Sequence, residues 1–148
     1  MVSVVMHRSV RDGDDQPAAV TVGPVRLALA GVIAAGWAVL PPYSGPALAT
    51  STRVEVADHV VPGLVLLVVA LAVLVTAGSR SLSPVVLLGA GLLVSLAGLW
   101  MTFTHLPLVA QAVDAQAPWA ATLYHTVPGL AVLALGFIWA RSYWSAAG

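Results

Sequence analysis

Three histidines carry the clearest chemical potential in this chain. His59, His105 and His125 each stand at the edge of an apolar run, at the same end of the runs they flank. Imidazole is the commonest transition-metal ligand and also ligates haem iron, so three at one depth could converge on a metal or a haem. Tyr43, Met101, Asp58, Asp114 and Tyr124 lie at comparable depth and could add ligands or supporting hydrogen bonds. The competing use is simpler: histidines at helix ends hydrogen-bond water, lipid head groups or a neighbouring helix. No His-Glu-x-x-His pair, no histidine pair one turn apart and no second tier of histidine at the other end of the runs is present. One site is all that these residues could build.

Other chemistries lack their residues. Cysteine is absent, which removes disulfides, thiolate metal sites, covalent haem attachment and cysteine nucleophiles. Neither Ser44 nor Ser51 sits in a Gly-x-Ser-x-Gly elbow. Lysine is missing and no phosphate-cradling glycine loop occurs. No catalytic residue is assigned, and the expectation is a protein that is not an enzyme.

The elements that must position the histidines are written in the composition. Of 148 residues, 59% are hydrophobic and 8% charged, and the mean hydropathy is +0.95. A water-soluble domain carries about 25% charged residues. Six basic and six acidic side chains are too few to wet the surface of a globule of this size, so lipid must cover the rest. The zero formal charge offers no basic stripe for phosphates, which argues against nucleic acid as a partner.

Four apolar stretches run at roughly Val25 to Leu40, Val60 to Ala77, Pro84 to Phe103 and Ala120 to Ala140. A helix needs about 20 apolar residues to cross roughly 30 Å of hydrocarbon. The last two suffice, the second nearly does, and the first is short unless Pro41, Pro42 and Tyr43 lie in the interface. Backbone polar groups in hydrocarbon must be satisfied within the segment, which makes these runs helices. Residues 1–22 are polar and read as a flexible cytoplasmic tail. Gly78-Ser79-Arg80-Ser81 reads as a tight connection, and Pro41 to Asp58 and His105 to Pro118 read as longer loops on the opposite side.

Orientation follows from positive charge, which favours cytoplasmic loops. Arg8, Arg11, Arg26, Arg80 and Arg141 fall on one side and Arg53 alone on the other, so both termini are expected in the cytoplasm of a multi-pass cell-membrane protein. A competing reading makes the first run a signal peptide cleaved near Ala47-Leu48-Ala49. Five tryptophans (Trp37, Trp100, Trp119, Trp139 and Trp144) fit an aromatic belt at the two interfaces. Small residues, Ala30, Gly31, Ala34, Ala35 and Gly36 in the first run and Gly89, Gly91, Ser95 and Gly98 in the third, suit close helix packing.

The chain also repeats itself. His59-Val60-Val61-Pro62-Gly63-Leu64 matches His125-Thr126-Val127-Pro128-Gly129-Leu130, and Gly23-Pro24-Val25 matches Ser83-Pro84-Val85. Asp58 reads as an N-cap and the prolines as first-turn residues. The expected fold is all-α, an integral membrane four-helix bundle of two parallel two-helix repeats, 23–80 and 81–148, related by an axis along the membrane normal. An apolar helix ending in Gly36-Trp37 or Gly98-Leu99-Trp100, an outer loop and a Val-Pro-Gly start to the second helix resemble the SPW-repeat membrane proteins over about residues 24 to 140. The Ser-Pro-Trp triad itself is replaced by Pro41-Pro42-Tyr43 and Thr104-His105-Leu106. The resemblance implies a four-helix membrane module and no assigned reaction.

The function expected from these residues is structural, accessory or partner-binding within the bilayer, as a homo-oligomer or beside another membrane protein, with no cofactor. The alternative is a membrane subunit binding haem or a transition metal through His59, His105 and His125 near the outer leaflet. A carrier of neutral or lipid-like molecules ranks third, since four spans leave little room for a solvated path without oligomerisation. A charged-solute transporter is disfavoured because no ionisable side chain lies between Val60 and Ala77 or between Pro84 and Thr102.

Overall fold

A computed structural model describes residues 23–41, 52–77 and 82–147. The expected tail, Tyr43, the Ala47-Leu48-Ala49 site and the Gly78 to Ser81 connection lie outside the described residues. Among those described, every regular element is helical: α1 (Pro24–Val39), α2 (Thr52–Glu55), a π-helical turn (Val56–Val60), α3 (Val61–Ala77), α4 (Pro84–Thr104), α5 (Leu106–Val113) and α6 (Trp119–Ala147).

Helices α1 and α4 start alike, with Pro24 and Pro84 in the first turn, where a missing N–H costs nothing. The Ser83 hydroxyl caps α4 by accepting from the Val86 amide at 3.3 Å. Helix α6 starts at Trp119, one residue before the expected apolar run, while the second apolar helix starts earlier than expected. The second apolar helix begins at Thr52, so Asp58 is no N-cap; it lies inside the π turn of a helix continuous from Arg53 to Ala77. Pro62 follows that turn, and Pro128 is interior to α6. The Leu106–Val113 stretch, expected as loop, forms α5, begun by Pro107 and ended by a turn with Ala115 at φ 56°.

The helices pack in a ring: α1 against α3, α3 against α4, α4 against α6 and α6 against α1. Neighbours α1 and α3 are antiparallel, because Gly63 near the start of α3 meets Ala35, Ala38 and Val39 at the end of α1 while Ala70 faces Gly31. Helices α4 and α6 do the same through Gly129 beside Met101 and Gly91 beside Ala140. The buried positions follow one spacing in α1 (Ala28, Gly31, Ala35, Ala38) and α4 (Gly91, Val94, Gly98, Met101). They follow another in α3 (Pro62, Gly63, Leu66, Ala70, Val73) and α6 (Pro128, Gly129, Val132, Gly136, Trp139).

Small residues set how close the helices come, though not all of them. A Cβ at Gly98 would collide with the Leu133 backbone and one at Gly91 with the Ala140 backbone. Gly36 and Gly89 face open space. Trp139, expected at an interface, is fully buried in a cluster with Leu27, Ala28, Val73 and Leu87, its ring reaching α1 where Gly31 has no side chain. Trp37, Trp100, Trp119 and Trp144 are exposed as expected.

The outward faces are apolar. Ile33 and Val75 are 75% exposed, and Phe103 and Phe137 about two-thirds exposed. Three helical segments, Arg53–Ala77, Pro84–Val113 and Trp119–Ala147, are long and apolar enough to cross a membrane. Helix α1 is shorter at 16 residues, about 24 Å at 1.5 Å per residue.

Candidate metal centre

The histidines meet at one end of the ring. His59 comes from the π turn, His105 from the C-cap of α4 and His125 from the second turn of α6. All three are buried, His59 completely. His59 Nε2 lies 3.0 Å from His105 Nε2 and 3.4 Å from His125 Nδ1, and the three nitrogens fall within 4.8 Å of one another. The ring centroids of His59 are 4.7 and 5.3 Å from those of His105 and His125.

Local structure explains why each ring points inward. His105 ends α4, and its Nδ1 stands 2.6 Å from the Met101 carbonyl one turn back. An Nδ1–H donated to that carbonyl leaves the Nε2 lone pair facing His59, the tautomer a metal ligand requires. Met101 serves through this carbonyl, while its side chain fills the core beneath.

His59 owes its direction to the backbone. The helix widens just ahead of Pro62, with the Val61 amide donating to the Val56 carbonyl, whereas the matching Pro128 lies in regular helix. His125 stands on regular helix, flanked by Thr122 and Thr126, whose hydroxyls donate to the Pro118 and Thr122 carbonyls at 3.1 and 2.7 Å. These threonines satisfy themselves within α6 and leave the imidazole to face across the bundle.

Sequence reasoning missed one member. Glu55, assigned there to an outer loop, places Oε2 3.8 Å from both His59 Nε2 and His125 Nδ1. Its side chain is 14% exposed, more than either of those imidazoles. The available signal was Glu55 one helical turn before His59, which becomes visible only if the helix is extended back to Thr52. Of the other residues considered, Tyr124 touches the His125 ring edge-on at 5.8 Å, Asp58 faces Trp100 and Thr104, and Asp114 is exposed past the end of α5.

No protein-family model matches the chain, and no curated protein or solved structure is significantly similar to it. The likeness to the SPW-repeat proteins therefore rests on the repeat residues alone, and the centre is read from its own geometry.

That geometry has a simple chemical content. Around a tetrahedral ion with ligand nitrogens at about 2.0–2.1 Å, donor atoms sit roughly 3.3 Å apart. The 3.0 and 3.4 Å separations bracket this edge. Three nitrogen donors can thus share one ion after movements of a few tenths of an ångström by His59 and His125 and a larger approach by His105 or His125 along the remaining edge.

Proposed function

We propose that this chain is an integral membrane protein that holds one divalent transition-metal ion in a buried trihistidine centre. The observation that carries the reading is the convergence of His59, His105 and His125 nitrogens from three separate segments onto one point. Each ring turns a nitrogen toward the common point, and an ion placed there would take one lone pair from each of the three. Imidazole sets suit zinc, copper, iron and nickel. A single ion is favoured over haem because the three donors crowd one point, with ring centroids 4.7 to 6.3 Å apart.

The topology that goes with this reading has four crossings and both termini in the cytoplasm. Helix α1 is short, but it runs the length of the core, from Leu27 and Ala28 beside Trp139 to Ala38 beside Gly63. A thin local bilayer accommodates such a helix at a modest cost. Arg26 and Arg141 are exposed at the end opposite the histidines, whereas Arg53 shares the histidine end with Glu55, Asp58 and Asp114. That distribution supports a cytoplasmic Arg26 end and a histidine centre near the outer leaflet. The matching burial spacings of α1 with α4 and of α3 with α6 support two parallel repeats. The role is that of a metal-carrying accessory module, acting alone or beside another membrane protein.

Metal analysis of the full chain purified in detergent tests the proposal. One equivalent of a transition metal is expected in the wild type, lost in His59→Ala and in His125→Ala while far-UV circular dichroism stays helical. A wild type that remains metal-free after incubation with Zn²⁺, Cu²⁺, Ni²⁺ and Co²⁺ rejects it.

A further inference from the structure

The trihistidine reading leaves one question open that the fold itself addresses: what completes the coordination. We infer that Glu55 is the fourth ligand, closing an N₃O tetrahedral site of the kind Zn²⁺ takes, and that the π turn exists in the fold to aim Glu55 and His59 at the same ion. This rests on the proposed metal centre and goes beyond it in naming the ligand, the geometry and the ion.

Three observations converge. Glu55 Oε2 is equidistant from two of the nitrogens, at 3.8 Å from each, so it faces the edge between His59 and His125. An inward movement of about half an ångström brings it to the donor spacing of a tetrahedral ion. The second is charge. Three neutral imidazoles leave a divalent ion with its full charge in a low-dielectric bundle, and one carboxylate halves the net charge to be buried. The third is backbone. Glu55 is the last residue of α2 and the residue that precedes the π turn, while His59 lies within that turn. A π turn inserted between two side chains one turn apart changes their relative angle, and such turns recur at functional sites.

The donor types point to the ion. Three nitrogens and one carboxylate oxygen, with no thiolate in the chain, suit Zn²⁺ better than the softer Cu⁺. Glu55 is also the most exposed of the four proposed ligands, ahead of His105 at 7%.

The sequence offers an unusually clean test, because Glu55 is its only glutamate. Cell-free synthesis of the full chain with carboxyl-¹³C glutamate, in lipid nanodiscs, labels one side chain. Infrared difference spectra on adding Zn²⁺ are expected to show the ¹³C carboxylate stretches move, with a changed splitting between the antisymmetric and symmetric bands. Co²⁺ as a spectroscopic stand-in is expected to give the intense visible bands of a four-coordinate ion. Glu55→Gln is expected to weaken Zn²⁺ binding about 10- to 100-fold or more, since even supporting residues cost that much. Zn²⁺ that binds to the wild type with the labelled carboxylate bands unmoved overturns the role of Glu55 and leaves the trihistidine centre standing. A wild type that binds no metal overturns both. The isotope measurement needs no variant, so a Glu55→Gln protein that fails to fold does not weaken it.

Discussion

The two halves of the molecule share a core and differ in their chemistry. Helices α1 and α3 bury residues at the same spacings as α4 and α6, and both second helices carry His-x-Val-Pro-Gly. Yet the first half bends its histidine on a π turn and contributes Glu55, where the second half has regular helix and Ala121 at the corresponding place. The second half contributes His105 at the end of α4, where the first half has Pro42. The difference teaches that the repeated residues build the scaffold and place one pair of histidines, His59 and His125, while the unrepeated Glu55 and His105 supply the other donors of the proposed centre.

The largest effect is expected at the ligand that touches both others. His59→Ala should weaken metal binding by more than about 100-fold, beyond what the loss of a supporting residue costs. Isothermal titration with Zn²⁺ measures it, and a weaker effect than that of His105→Ala would contradict the central position of His59.

Packing gives the next contrast. Gly98→Ala drives a Cβ into the Leu133 backbone and should cost about 2 kcal/mol, as overpacking does. Gly31→Ala meets side chains and no backbone, Ala70 at 3.0 Å and then Leu66 and Trp139 at 3.5 and 3.8 Å, and should cost under about 1 kcal/mol. Thermal unfolding in detergent ranks the two, and equal losses would mean that the halves pack alike.

The prolines sharpen the comparison further. Pro62→Ala restores a donor to the Asp58 carbonyl, favours regular helix through residues 56–60 and should weaken metal binding about 10-fold with the bundle intact. Pro128→Ala, in helix already regular, should leave affinity unchanged. The smallest effects belong to Gly36→Ala and Gly89→Ala. Both face open space, and each should shift stability within about 0.5 kcal/mol.

How much of this could be read from the chain follows from its apolar composition. Apolar run length marked the helices, and the Pro24 and Pro84 starts held. The three histidines were legible as a group because each stands where an apolar run begins or ends. Which face of each helix turns inward was not legible. A helix bathed in lipid is apolar all round, so hydrophobic periodicity loses its direction. Trp139 and the open Gly36 and Gly89 were misread for that reason.

Glu55 was hidden by a different rule. Pro62 and Pro128 look like helix starts, since proline suits a first turn. Placing the start there left Glu55 and Asp58 outside the helix and broke the one-turn relation of Glu55 to His59. In these helices the proline instead lies within, next to a π turn in one half and in regular helix in the other.

X-ray absorption at the metal edge, on the full chain in lipid nanodiscs loaded with one equivalent of Zn²⁺, tests the central claim most directly. The account predicts first-shell nitrogen or oxygen donors at about 2.0–2.1 Å with the outer-shell scattering of three imidazoles. A shell of oxygen donors without imidazole scattering would contradict it.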